Sequence, residues 1–169
     1  MINKRLLIKN LLAHNDENSF YDKKQRISLD TKEGKAKFLK HVCALSNSNP
    51  ENNSYIVIGV EDKSNRIDGV DFFDDSRIQN LINSYFTNPP KIQYENIPFP
   101  NLPKDRVVGL VTIKPNKKVS FFKKGIHTIT AKTTYIRIGS NSIATHEKVP
   151  LTKLNFETVN TLEKPVSYT

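Results

Sequence analysis

Glu17 and Asp22 bracket a short segment that runs directly into Lys23, Lys24 and Arg26, and Glu61-Asp62 follows the apolar run Tyr55 to Val60. Carboxylates placed this way are candidate oxygen ligands. Two or three of them suit Mg²⁺ or Mn²⁺, and such an ion activates water and neutralises charge on a scissile phosphate. The plainer alternative is that these acids occupy turns and are solvated, as most acidic side chains are. A second cluster is basic: Lys114, Lys117, Lys118, Lys123 and Lys124 surround Phe121-Phe122. Lysines interleaved with aromatics suit phosphate contact combined with base stacking. The competing reading packs both rings in the core and leaves the lysines to solvate a hairpin. Arg137 either joins the phosphate contacts or pairs with Glu61 or Asp62 and holds the acids in place.

Other chemistries are unmarked. Six glycines form neither a dinucleotide-binding nor a P-loop pattern. His14, His41, His127 and His146 are isolated and lack metal-ligand spacing. A single cysteine, Cys43, excludes an internal disulfide and a cysteine-based zinc site. It falls within a helical apolar pattern, which predicts a buried thiol rather than a nucleophile.

The net charge of +9 favours a polyanionic partner. Its distribution says more than its total. Residues 101–150 hold ten Lys/Arg against two acids, whereas residues 61–80 hold six acids against three Lys/Arg. A basic C-terminal half beside an acidic segment is the electrostatic footprint of a nucleic-acid binder.

These residues need elements to position them. Leu6, Leu7, Leu11 and Leu12 predict an amphipathic helix over 2–13. Residues 19–29 read as a short extended stretch. Thr31 is a candidate N-cap for a helix over 32–46, with Ala36, Leu39, Val42 and Cys43 as its buried stripe. Tyr55 to Val60 is apolar without alternation and rich in β-branched residues, which predicts a central strand buried on both faces. A second short strand is expected over 66–70, and a helix over 75–86 stopped by Pro89-Pro90. Strands follow over 92–97, 106–113 and 133–138, the last closed by Gly139, with a lysine-rich hairpin or loop over 114–132. The elements are interspersed without strict alternation. That predicts an α+β fold: a mixed, mainly antiparallel sheet with helices packed on it. One domain over 1–150 is expected, with 151–169 as a C-terminal tail or arm. No segment has the roughly 18–20 apolar residues of a membrane span, and Lys4, Arg5 and Lys9 interrupt the N-terminus. Cytoplasm, without a membrane partner, is the expected location.

Three blocks resemble the Schlafen AlbA-like domain family, in order. Glu17-Asn18-Ser19-Phe20-Tyr21-Asp22-Lys23-Lys24 is similar to its pattern of Glu, four residues, an acid, one residue and Lys. Ala44-Leu45-Ser46-Asn47-Ser48, followed by Tyr55 to Lys63, is similar to its Ala-Phe-Ala-Asn-Thr motif and its apolar strand ending in Gly-Val-acid-Asp. Tyr135-Ile136-Arg137-Ile138-Gly139-Ser140 is similar to its aromatic-apolar-Arg-apolar-Gly-Ser ending. The resemblance implies a nucleic-acid-binding domain, RNA ahead of DNA. In nuclease members it further implies a divalent-metal-dependent endoribonuclease acting on structured RNA such as tRNA. Carried over residue by residue, the metal-binding acids are Glu17, Asp22 and Asp62, with Lys24 as the accompanying catalytic lysine. The alternative it implies is a non-catalytic DNA-binding or ATP-binding regulatory module. Self-association through the tail, giving a homo-oligomer, is a third expectation. Two departures stand out: Asn49 to Asn53 replace a Gly-Gly turn, and Asp22 stands where Glu is usual.

Overall fold

The computed structural model describes residues 3–14 and 20–146. The elements in chain order are α1 (Lys4–His14), β1 (Tyr21–Lys24), α2 (Lys32–Ser48), β2 (Ser54–Ile58), α3 (Asp75–Tyr85), β3 (Phe86–Thr87), β4 (Lys91–Ile97), β5 (Val108–Lys114), β6 (Phe121–Phe122), β7 (Thr133–Ile138) and β8 (Asn141–His146). The main sheet has the order β1-β2-β5-β4, in which β1 runs parallel to β2 and the other pairs are antiparallel. Two short antiparallel pairs, β3-β6 and β7-β8, complete an α+β fold of the expected kind.

The central strand explains its own sequence. Ile56 and Ile58 face a core shared with α2 and α3, while Val57 faces the core under α1. Both faces are covered, so apolar residues occupy consecutive positions and alternation disappears. On the α1 side the core includes Ile8, Leu11, Tyr21, Val108 and Leu110. Thr31 caps α2 as predicted, its hydroxyl accepting the Gly34 N–H at 3.0 Å.

Several boundaries differ from the sequence-based expectation. The strand expected over 66–70 is reduced to two isolated bridges, Val60 with Ile67 and Val70 with Val107. Gly59 (φ 109°) and Gly69 (φ 76°) cross there so closely that a Cβ on Gly59 would lie 3.0 Å from the Gly69 Cα. The Gly59 carbonyl accepts both the Asp68 and the Gly69 N–H at 2.9 Å, which leaves a turn and no ladder. The third helix ends at Tyr85, before the prolines, because Phe86 turns extended and pairs with Phe122, their rings 4.6 Å apart. Gly139 closes β7 as expected, but that strand is not the last. Gly139 takes φ 58° at the first position of a two-residue turn between the paired residues Ile138 and Asn141, and β8 follows. The tail over 151–169 lies outside the described residues.

Candidate nucleic-acid interface

Strand alternation on β1 decides where its charged residues go. Tyr21 is buried toward α1, so Asp22 and Lys24 point to the α2 side and Lys23 to the α1 side. Asp22 is 1% exposed. Its Oδ1 accepts a hydrogen bond from Arg137 Nη2 at 3.0 Å, and its Oδ2 lies 3.0 Å from Lys24 Nζ. Arg137 is itself fully buried, brought in by β7, which docks along α2. That docking is set by two polar side chains of the Ala44–Ser48 motif. The Asn47 amide donates to Thr134 Oγ1 (2.7 Å) and to the Tyr135 carbonyl (3.0 Å), and its oxygen accepts the Ser120 N–H (2.8 Å). The Ser48 hydroxyl accepts the Arg137 N–H at 2.7 Å. Asn47 and Ser48 are thus staples of the fold, and they aim the guanidinium at Asp22.

The same guanidinium touches His41 and Ser142. Arg137 Nη1 donates to Ser142 Oγ (3.0 Å) and to His41 Nδ1 (3.2 Å), and Ser142 Oγ lies 2.8 Å from His41 Nδ1. Guanidinium nitrogens only donate, so Nδ1 is an acceptor and the imidazole proton resides on Nε2. Burial, reinforced by the Lys24, Arg137 and Lys40 charges against Asp22, pushes the His41 pKa down to about 3. The ring is neutral near pH 7. The cluster of Asp22, Lys24, Arg137 and neutral His41 therefore carries two cations against one carboxylate.

Each predicted site residue has a definite place, except Glu17, which lies outside the described residues. Asp22 and Lys24 are together. Asp62 is exposed, and its backbone carbonyl accepts from Lys23 Nζ at 2.7 Å. Lys23 and Asp22 stand on opposite faces of β1, so the contact that ties Asp62 to this strand is on the face away from the Asp22 carboxylate. Glu61 turns back on its own loop, and hydrogen bonds from the Ser64 hydroxyl and N–H (both 2.7 Å) hold its carboxyl below the usual range. Among the described residues, no three His, Cys, Asp or Glu side chains are grouped to hold a metal ion. Arg137 departs from the expectation: a fully buried guanidinium paired with Asp22 does not reach a phosphate at the surface, and it pairs with neither Glu61 nor Asp62.

The basic cluster divides. Lys114, Lys117 and Lys118 join Lys91 around one broad, shallow cleft of about 1080 Å³, with the amides of Asn88 and Asn116 between them. Lys124 lies elsewhere, 4.6 Å above the Tyr85 ring, and Lys123 is exposed beside it. Phe122 is fully buried and stacks in the core, so it offers no face to a base, whereas Phe121 is half-buried. Cys43 is buried as expected, and burial pushes its thiol up to about 12, which leaves it un-ionised and inert. Sequence reasoning missed His41, whose partners lie 96 and 101 residues away.

The Schlafen, AlbA_2 family model matches residues 17–146. Among solved structures, the DIP2311 protein from Corynebacterium diphtheriae is similar, with a TM-score of 0.52 over 84% of this chain at 13% sequence identity. The match takes up 26% of that protein, so the present chain spans about a quarter of its length, and the likeness speaks to the fold alone. No functionally curated protein matches the chain. No described helix is long and apolar enough to cross a membrane.

Proposed function

The chain belongs to the Schlafen AlbA_2 family, and from that premise we propose that it binds nucleic acid, RNA ahead of DNA, through the cleft of Lys91, Lys114, Lys117 and Lys118. The observation that carries this reading is the convergence of four lysines on one open surface, in a chain of net charge +9. Lysines at this density neutralise successive phosphates and release counterions. The amide nitrogens of Asn88 and Asn116 donate to the Val119 and Pro89 carbonyls (3.2 and 3.3 Å), and each keeps a second N–H for a sugar or base edge. Glu51, on the same rim, is the one acid there.

Binding to a single-stranded RNA is the test. With four phosphate contacts, affinity falls about 50-fold between 50 and 200 mM salt, from a slope of roughly 0.7 per contact. The pair Lys117→Glu and Lys118→Glu removes most of the binding, and Lys124→Glu, on a different surface, changes it little. Equal losses from both surfaces, or no loss, overturn the assignment. The same oligonucleotide as DNA tests the preference for RNA, and ATP tests the regulatory-module alternative.

Cleavage is the finer reading. It needs Glu17, Asp22 and Asp62 to hold one or two divalent ions. The described donors do not make such a centre by themselves: Asp22 is already bound to two cations, and Asp62 is exposed and tied to β1 only through its backbone carbonyl, from the opposite face. The geometry of the described residues therefore supports binding ahead of cleavage.

A further inference from the structure

The Asp22 cluster opens on one side into a second, smaller cleft of about 240 Å³ between residues 24–31 and α2. Its floor is apolar: half-buried Ile27 forms its open part, and the buried Phe38 and Ile56 close it from beneath. Three cations, Lys24, Arg26 and Lys37, stand on its walls, against the single acid Glu33. His41 lines it too. With Nδ1 engaged by Arg137 and Ser142, its Nε2–H is left as a donor that brings no charge of its own. Lys24 is held on one side by the Asp22 carboxylate and remains about a quarter exposed.

The cleft is built into the backbone. Residues 25–30 leave the sheet after the Lys24 carbonyl accepts both the Gly59 and Val60 N–H groups (2.8 and 3.2 Å), and they then cross the first turn of α2. Gly34 permits that crossing, since a Cβ there would lie 1.9 Å from the Ser28 carbonyl oxygen. An apolar floor with a cationic rim matches a molecule that is flat and apolar at one end and anionic at the other. The volume is below the roughly 300–1,000 Å³ of drug-sized sites, so it admits one ring system with a small appended group.

We propose that this cleft holds a single nucleotide unit, its base against the half-buried Ile27 and its phosphate against Lys24, Arg26 and Lys37. The unit comes either from a free mononucleotide or from one residue of a bound strand. The strand source rests on the nucleic-acid reading above, and the free source does not.

The test uses the whole chain with Arg26→Ala and Lys37→Ala combined. Both side chains are exposed, and neither takes part in the Asp22 pair, so the variant keeps its fold, checked by an unchanged thermal melt. Wild type and variant are titrated with AMP, UMP, adenosine, inorganic phosphate and a short RNA. Saturable AMP or UMP binding that weakens at least tenfold in the variant, with adenosine and inorganic phosphate each much weaker, establishes a free-nucleotide site. If only the RNA binds and loses tenfold in the variant, the cleft is a subsite of the strand path. Equal affinity of inorganic phosphate and AMP, or RNA and nucleotide affinities unchanged in the variant, overturns the proposal. The Lys117→Glu and Lys118→Glu pair, measured beside it, keeps the two surfaces apart: RNA binding lost there alone, with no AMP or UMP binding that the Arg26→Ala and Lys37→Ala variant weakens, leaves the larger cleft standing and this one refuted.

Discussion

The Asp22 carboxylate and the Arg137 guanidinium, 115 residues apart in the chain, meet at 3.0 Å with both side chains almost wholly buried. Deleting one partner of a buried pair leaves an uncompensated charge, which costs about 3–5 kcal/mol, whereas replacing both with apolar residues is often close to neutral. Arg137→Leu is expected to lower the melting temperature by roughly 10 °C, at about 2–4 °C per kcal/mol for a chain of this size. The double replacement Asp22→Leu with Arg137→Leu recovers much of that loss, and a double-mutant cycle by denaturant unfolding measures the coupling. Additive losses would show that the two groups do not interact.

His41 makes stability depend on pH. Its pKa is pushed down from 6.5 to about 3 in the folded chain. Between those values the unfolded chain binds a proton there and the folded chain does not, so stability falls as pH drops through 6.5. At pH 5 the contribution is about 2 kcal/mol, at roughly 1.4 kcal/mol per pH unit. Asp22, Lys24, Lys40 and Arg137 all face the ring and share the background, so the comparison is with His41→Gln, which keeps the other groups. Urea unfolding at pH 7.5 and 5.0 is expected to show a smaller loss in the variant by that amount. Parallel losses in both proteins would mean that the ring titrates normally.

What could be read from the sequence was whatever depended on neighbours along the chain. The run Tyr55 to Val60 announced a doubly buried strand because burial on both faces leaves a local signature. Thr31 announced a helix start because capping is a contact three residues long. Asp22 and Lys24 were visible as chemistry, and strand alternation alone would have put them on one face of β1. The partner of Asp22 was not visible, because the choice of Arg137 among 26 Lys and Arg residues is made by the docking of β7 on α2. The same long-range docking hid His41. The strand β8 was missed because Asn141 to His146 carries little apolar pattern, and its register comes from the Gly139 turn and pairing with β7.

Gly34 offers a contest between two effects of known sign. Within an exposed helix, Gly→Ala stabilises by about 1 kcal/mol through propensity. Here the new methyl would sit 1.9 Å from the Ser28 carbonyl oxygen, and that atom is backbone. Overpacking of this kind costs about 1–3 kcal/mol. Gly34→Ala is therefore expected to be destabilising in a thermal melt and to distort residues 25–30, with nucleotide or RNA binding at the smaller cleft reduced. A rise in melting temperature would show that the segment does not press on α2.

The sign of one substitution separates an ion-pair role for Asp22 from a metal-ligand role. Three carboxylates gathered to hold an ion repel one another when it is absent, so turning one into an amide leaves the metal-free protein as stable or more so. A carboxylate held by two cations behaves in the opposite way: Asp22→Asn leaves Lys24 and Arg137 facing a neutral group, and stability falls. The geometry favours the second, and a lower melting temperature for Asp22→Asn in the presence of a chelator is the expected result. Mn²⁺ supplies the independent measurement. An ion that binds only the folded chain stabilises it by about 2.7 kcal/mol at a hundred times its dissociation constant, which is several degrees and easily seen. With Asp22 engaged on one face of β1 and Asp62 tied to the other, millimolar Mn²⁺ is expected to move the wild-type melt by less than about one degree on that scale. A shift of several degrees that disappears in Asp62→Asn or Glu17→Gln, together with chelator-sensitive cleavage of tRNA, would instead establish the nuclease and require Asp22 to exchange its cationic partners for the ion.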